Sequence, residues 1–382
     1  DADGDADGDA DGDADSDTGG DPGPFVLEEA PFVIHEATAG HVAFPDVTAL
    51  DGGELLLVYR EAAIHMVDPT ARIVKQLGTA DGLDWTPPEL AFDTADVDDR
   101  DPSVTTLEGG DVLLSWFQYR YEETDDGELS VHQVFVARST DGGETFGPAQ
   151  KVPSDAMEYP GAYIDDDLLW VDSAGDPVEV SACSHPVQEI GGALYAQSYG
   201  GYAWNTSNPS APRSRVSLFV SEDDGAGWEQ VELAPDQATD TWLQEPALLA
   251  LDEDEWLVHA RTSPGSSPGY LGETWQNRTL DGGATWAGWT PLGFYGHAPY
   301  LTRLSGGTLV TAVRELNAAG SQAAVSFSYS TDDGQSWSDP VLIEPWIATE
   351  VGYPSVLELD DGRVLFVYYY AGSSIRGAIY SL

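Results

Sequence analysis

The sequence predicts an all-β fold: a six-bladed β-propeller over residues 25–382, preceded by an Asp-rich tail over residues 1–24. Three observations predict it. An eight-residue turn pattern occurs four times, a hairpin pattern occurs six times, and no segment carries helical periodicity.

The turn pattern is hydroxyl, x, Asp, x, Gly, x, x, aromatic. It reads S-T-D-G-G-E-T-F at 139–146, S-E-D-D-G-A-G-W at 221–228, T-L-D-G-G-A-T-W at 279–286 and S-T-D-D-G-Q-S-W at 330–337. A fifth, one residue short, stands at Thr79–Trp85. An Asp side chain folds back onto nearby backbone amides, and Gly supplies a positive φ. The closing aromatic is expected beside the turn, at the start of the next strand. Alternating runs precede the copies (Val216-Ser217-Leu218-Phe219-Val220, for example), so each copy is expected to join two antiparallel strands.

The hairpin pattern is a small motif, an apolar stretch, an acidic or Gly-rich turn and a second apolar strand. The six copies span 44–60, 101–117, 185–200, 245–261, 298–314 and 353–369. Their spacing of about 45 to 85 residues suits propeller blades with loop insertions. The last blade, from Gly352, has room for three strands only. Phe32-Val33-Ile34 is expected to supply the fourth and close the ring.

The tail repeats D-A-D-G and holds no large apolar residue, so it cannot bury a core. A disordered tether is expected. D-x-D-G-D also resembles the start of a calcium loop, but the Glu that would complete one is absent. Calcium on this tail is the one cofactor considered.

Formal net charge is −52; the tail contributes ten Asp and no base, leaving about −42 on the rest. Nucleic acid is therefore not expected as a partner, nor an anionic membrane surface. Lys occurs twice, at Lys75 and Lys151, so nearly all positive charge is Arg. The single cysteine, Cys183, excludes an intrachain disulfide and a Cys metal cluster. No apolar run approaches transmembrane length. The chain starts at Asp1, so any leader is expected to have been removed. A monomer, secreted or tethered at the cell surface, is expected.

In a propeller the innermost strands line a channel whose mouth gathers one loop per blade. At those places stand Arg60, Glu61 and His65; Asp98, Asp99, Arg100 and Asp101; Glu245 and Arg261; His297 and Arg314; and Tyr353. Charged groups beside apolar strands are costly unless paired or functional. For each alone, a salt bridge between blades is the competing role.

The turn pattern resembles the Asp-box, the repeat of the sialidase family, where it marks the fold and lies away from the active site. From about Val42 onward the chain resembles a sialidase-type propeller. E-P-A-L-L-A-L-D-E-D-E-W-L-V-H-A-R is similar to the sialidase segment in which a Glu opens a strand and an Arg closes its partner. The resemblance implies that Glu245 polarises a nucleophile and that Arg261 binds a substrate carboxylate. G-Y-P-S-V-L-E-L resembles the segment carrying the catalytic Tyr, which implies Tyr353 as nucleophile. Asp98, Asp99 or Asp101, within D-D-R-D-P-S, would then be the general acid. Arg314 would be a further carboxylate-binding Arg, and Arg60, Arg100, His65 and His297 complete the substrate-binding candidates. The implied chemistry is retaining glycoside hydrolysis, exo-acting on a terminal acidic sugar.

One departure stands out. Sialidases open their first blade with Arg-Ile-Pro, whereas this chain has Ala43-Phe44-Pro45. Arg60, at the end of the same hairpin, is considered as a replacement. Two alternatives remain: a non-catalytic propeller that binds glycans or proteins, and a lyase or other glycosidase for uronic acids using Tyr353 with His65 or His297. Trp116, Trp170, Trp204 and Trp242 are placed either against sugar rings or between blades. His41, His65 and His297 show no metal-ligand spacing, so no metal centre is expected.

Overall fold

A computed structural model describes residues 23–124, 127–152, 182–204, 212–232, 241–264, 272–317, 321–348 and 350–382. The proposed calcium tract, at residues 1–22, and Trp170 lie outside the described residues, as does the side chain of Trp204.

The described residues form 24 strands in six four-stranded sheets, with no helix among them. Strand β1 (Val26–Glu36) comes first in the chain and is used last. Blade one is β2 (His41–Ala49), β3 (Leu55–Ala62), β4 (Arg72–Gly78) and β5 (Glu89–Phe92). Blade two is β6 (Asp98–Thr106), β7 (Val112–Thr124), β8 (Gly127–Ser139) and β9 (Gln150–Lys151). Blade three is β10 (Gln188–Ile190), β11 (Ala193–Trp204), β12 (Pro212–Ser221) and β13 (Glu229–Glu232). Blade four is β14 (Thr241–Ala250), β15 (Trp256–Pro264), β16 (Glu273–Thr279) and β17 (Thr290–Tyr295). Blade five is β18 (His297–Arg303), β19 (Leu309–Leu316), β20 (Ala323–Ser330) and β21 (Val341–Ile347). Blade six is β22 (Val351–Glu358), β23 (Val364–Tyr370) and β24 (Ser374–Ser381), with β1 on its outer edge.

Closure by the first strand is present and longer than expected. β1 pairs antiparallel with β24 from Val26↔Ser381 to Glu36↔Ser374. Just ahead of it, Phe25 is buried, with its ring 5.0 Å from Phe327 in blade five. The ring therefore closes with hydrogen bonds and with an aromatic plug.

Six apolar clusters among the described residues hold the blades together, one in each seam between neighbours. The turn pattern serves these seams. In each copy the Asp accepts an amide four residues on and its own hydroxyl residue, as in Thr145 N to Asp141 Oδ1 at 2.9 Å and Ser139 Oγ to Asp141 Oδ1 at 2.6 Å. The closing aromatic reaches further than the turn. Phe146, Trp228, Trp286 and Trp337 pack against the seam with the preceding blade. Thr79–Trp85 behaves as a fifth copy: Thr79 Oγ1 lies 2.6 Å from Asp81 Oδ1, and Trp85 packs into the seam between blades six and one. Scarce cations add staples from the third strand of one blade to the turn of the next. Lys75 Nζ donates to Gly143 O at 2.6 Å, and Arg138 Nη2 to Asp224 Oδ1 at 2.6 Å.

Trp116 is fully enclosed in the seam between blades one and two, with ring centroids 4.5 Å from Phe92 and 5.9 Å from Phe135. Trp242 is buried as well. Trp116 therefore lies between blades, one of its two expected places.

Candidate active site

The six hairpins begin with X-Pro: Phe44-Pro45, Asp101-Pro102, His185-Pro186, Glu245-Pro246, Ala298-Pro299 and Tyr353-Pro354. In five of them X is left-handed, with φ of 58° at Phe44, 48° at Asp101, 50° at Glu245, 45° at Ala298 and 48° at Tyr353. The inner strand slips register at each of these five, between Ala43 and Asp46, Arg100 and Ser103, Gln244 and Ala247, His297 and Tyr300, and Gly352 and Ser355. Proline has no N–H to give the ladder, so the strand bulges there and re-aims the residue before it. A non-glycine residue held at positive φ costs about 1–3 kcal/mol and persists only where the surroundings enforce it. Four of these five residues, Phe44, Asp101, Ala298 and Tyr353, line one cavity, with Ser184 from the third blade. The fifth, Glu245, is hydrogen-bonded to two of them, Tyr353 and Ala298.

Tyr353 and Glu245, from blades six and four, meet here. Tyr353 Oη donates to Glu245 Oε1 at 2.8 Å. Arg261 Nη1 donates to the same oxygen at 2.9 Å, and the Ala298 amide donates to Oε2 at 2.7 Å. Glu245 is thus buried and held by three donors. Burial, with the nearby Glu245 and Asp101 carboxylates, pushes the Tyr353 phenol well above its usual range. The phenol is therefore neutral, and the carboxylate beside it is the acceptor its proton needs.

Asp101 lines the same cavity. Its Oδ1 is buried and makes no hydrogen bond, and Arg100 Nε stands 3.7 Å away. Burial raises its carboxyl to about 7, against the pull of Arg100 and with Glu245 adding to the rise. The other two carboxylates of this segment face elsewhere. Asp98 is fully enclosed and takes both Arg60 Nε and Nη2 at 2.8 Å, together with the Asp68 amide at 3.0 Å. Asp99 accepts from Thr94 N at 2.7 Å, Trp116 Nε1 at 2.8 Å and Gln118 Nε2 at 3.2 Å.

Arg60 has no exposed surface, and its guanidinium also donates to the carbonyls of Ile64 and Met66. It ties a loop to blade two and presents no free donor fork to a ligand. Another cation covers the altered first-blade motif: the Arg100 guanidinium lies 4.9 Å from the centre of the Phe44 ring. Sequence order placed Arg60 in the hairpin of Ala43, but the stagger between blades brings Arg100 over that hairpin's Phe44.

His297 pairs with Arg314 across β18 and β19. Arg314 Nε and His297 Nε2 are buried and without hydrogen-bond partners, as is the Tyr369 hydroxyl. Burial, with Arg261 and Arg314 beside it, drives the His297 imidazole well below its usual range, so it is neutral. No carboxylate lies within ion-pair distance of Arg314 among the described residues. Several unsatisfied polar atoms near one cavity suit a polar ligand.

His65 sits at the rim with two residues that spacing did not connect to it. His65 Nδ1 lies 3.1 Å from Glu350 Oε2, and His41 Nε2 lies 3.2 Å from the same oxygen. These three are the only grouping with metal-ligand geometry among the described residues. The sequence expectation of no metal centre rested on spacing, and His41 and Glu350 are 309 residues apart.

The chain belongs to the BNR repeat-like family, whose domain model matches residues 138–366. Its fold is that of the sialidase-like members of this superfamily. A protein of unknown function from Dyadobacter fermentans superposes with a TM-score of 0.72 at 21 % identity, covering 94 % of this chain and 99 % of that one. The leech intramolecular trans-sialidase, solved with 2,7-anhydro-Neu5Ac, gives 0.61 at 12 % identity over 93 % of this chain and 70 % of that one. Penicillium chrysogenum α-L-arabinanase, solved with arabinobiose, gives 0.63 at 13 % identity over 92 % and 97 %. At these identities the likeness is one of fold. No curated protein matches the chain by sequence.

Proposed function

We propose that the protein is a retaining exo-glycosidase acting on a terminal acidic sugar. The observation that carries this is the 2.8 Å hydrogen bond from Tyr353 Oη to Glu245 Oε1. A binding-only propeller has no need of a buried carboxylate beneath a phenol, with both residues at strained φ.

In this mechanism Tyr353 Oη attacks the anomeric carbon and its proton passes to Glu245. Asp101, protonated up to about pH 7, gives its proton to the departing glycosidic oxygen. The glycosyl–tyrosine bond is then broken by water, whose proton goes to Asp101 while Glu245 returns its own to Tyr353. A neutral phenol avoids the repulsion that a carboxylate nucleophile would meet from an anionic sugar. Arg314, with Arg261 and Arg100, supplies the positive charge for the sugar carboxylate. Asp98, Asp99 and Arg60 hold the wall behind the site.

Between sialic acid and a uronic acid, the neutral Ala43-Phe44 at the first blade favours neither. A panel of 4-methylumbelliferyl glycosides of both classes, with α-L-arabinoside as a neutral member, tests the proposal. Release from an acidic member, lost in Tyr353→Phe, is expected. Release that survives Tyr353→Phe contradicts the nucleophile. A double-bond product absorbing in the ultraviolet would favour the lyase alternative.

A further inference from the structure

His41 opens β2, His65 follows β3, and Glu350 immediately precedes β22. The three therefore join blade one to blade six, the seam where the ring closes. Their facing atoms form a near-equilateral triangle. His41 Nε2 to Glu350 Oε2 is 3.2 Å, His65 Nδ1 to Glu350 Oε2 is 3.1 Å, and His65 Nδ1 to His41 Nε2 is 3.3 Å.

No arrangement of protons makes all three edges of this triangle hydrogen bonds. Each imidazole nitrogen carries at most one hydrogen, and the ionised carboxylate carries none. If both nitrogens donate to Glu350, the edge between the histidines is a bare contact between two donors. If one nitrogen donates to the other, the acceptor has no hydrogen to turn toward the carboxylate. A cation at the centre uses all three atoms alike, because each then points a lone pair at it.

The edges of 3.1–3.3 Å come close to those of a zinc site, and the donor set narrows the cation class. Zinc binds imidazole nitrogen and carboxylate oxygen at about 2.0–2.2 Å, which sets tetrahedral ligand–ligand edges of about 3.3–3.5 Å. Two imidazoles and one carboxylate suit a borderline metal, whereas calcium and magnesium favour all-oxygen sites. The chain's net charge of −52 favours any cation. Two fixed positive charges act on the histidines, Arg100 and Arg60, and both are offset by carboxylates. Arg100 donates to the His65 carbonyl at 2.9 Å and is flanked by Asp98 and Asp101, and Arg60 is paired with Asp98.

We infer that His41, His65 and Glu350 bind a zinc-class divalent cation. It bridges the first and last blades at the rim of the cavity, since the Phe44 ring, which lines the cavity, stands 5.8 Å from His65 and 6.5 Å from His41. Three protein ligands leave a fourth position for water or for an oxygen of a bound sugar. The inference does not depend on the glycosidase proposal.

The test uses the full chain, stripped with a chelator and then titrated with zinc chloride in a calorimeter. Millimolar calcium and magnesium are present throughout, to compete for carboxylates on the acidic surface and the Asp-rich tail. One zinc per chain is expected, and cobalt(II) in its place is expected to give the intense visible absorption of a tetrahedral site. His65→Ala and Glu350→Gln are expected to weaken zinc binding by at least the ~10–100-fold that loss of a mere outer-shell partner costs. Should His65→Ala fail to fold by circular dichroism, the near-isosteric Glu350→Gln decides. Zinc uptake that is absent from the wild-type protein, or unchanged in a folded variant, overturns the inference.

Discussion

Tyr353 and Glu245 lie 108 residues apart in the chain, in blades six and four, yet their side chains meet at 2.8 Å. Each is the residue before the proline of its blade's inner strand, and each is left-handed. One backbone device, repeated around the ring, thus delivers the candidate nucleophile and its base to the same point.

Asp101 is expected to act as an acid. Asp101→Asn should lower kcat/KM on glycosides with poor leaving groups by about 10²–10⁴-fold. The loss should be far smaller on 4-methylumbelliferyl glycosides, whose leaving group needs little protonation. In the wild type, kcat/KM should fall as pH rises through about 7, because the acid form is then lost. Paired pH–rate profiles for the two leaving groups check this.

Arg314 is expected to bind the sugar carboxylate. Arg314→Ala should raise KM for acidic substrates by about 10–100-fold, the worth of a hydrogen bond to a charged group. Arg314→Lys should recover part of it, and a neutral substrate should be indifferent to both. Initial-rate kinetics on matched acidic and neutral glycosides separate these outcomes.

Asp46, on the wall of the cavity, gives a test read by thermal melting alone. It accepts from Ser355 Oγ at 2.6 Å and Val104 N at 2.8 Å, and burial raises its carboxyl to about 7. A carboxyl whose folded pKa lies above its unfolded one contributes stability below the unfolded value, lost as pH rises through the folded one. Asp46→Asn should therefore gain Tm relative to wild type as pH rises from about 4 to above 7. A difference that stays constant across thermal melts in that window would contradict it.

Closure of the ring is expected to control cooperativity. Phe25→Ala should cost about 3–5 kcal/mol, as for other buried Phe. Deleting residues 25–38 should abolish a single cooperative transition, because the outer strand of blade six is then missing. Denaturant melts followed by tryptophan fluorescence and far-ultraviolet circular dichroism measure both.

The turns should matter to stability and not to activity. Gly143 has φ of 80°, and an added Cβ would stand 2.6 Å from Leu56 Cδ2 in blade one. Gly143→Ala should cost about 1–3 kcal/mol with kcat unchanged. Melting and rate measurements on one preparation test the pair of claims.

The fold was legible because each blade repeats local chemistry. Asp141 and Gly143 specify their turn without help from elsewhere, and the X-Pro dipeptides mark the inner strands. Even Thr79–Trp85, one residue short, keeps the bond between Thr79 and Asp81 that defines the turn. The Tyr353, Glu245 and Arg261 grouping was legible through the resemblance of two segments. What sequence order could not show was lateral neighbourhood. Arg60 looked like a replacement for the missing first-blade Arg, but it is enclosed against Asp98, and Arg100 from the next blade covers Phe44 instead. Contact between His41 and Glu350 depends on ring closure, which brings the two ends of the chain together and leaves no trace in spacing.

In the proposed mechanism Tyr353 becomes covalently bonded to the sugar. A deactivated fluoroglycosyl fluoride of the acidic sugar that the protein turns over should trap that bond, and intact-protein and peptide mass spectrometry would read it. The expected result is one added glycosyl mass per chain, located on the peptide containing Tyr353 and absent in Tyr353→Phe. Turnover of the substrate with no adduct, or an adduct on another residue, would contradict the account.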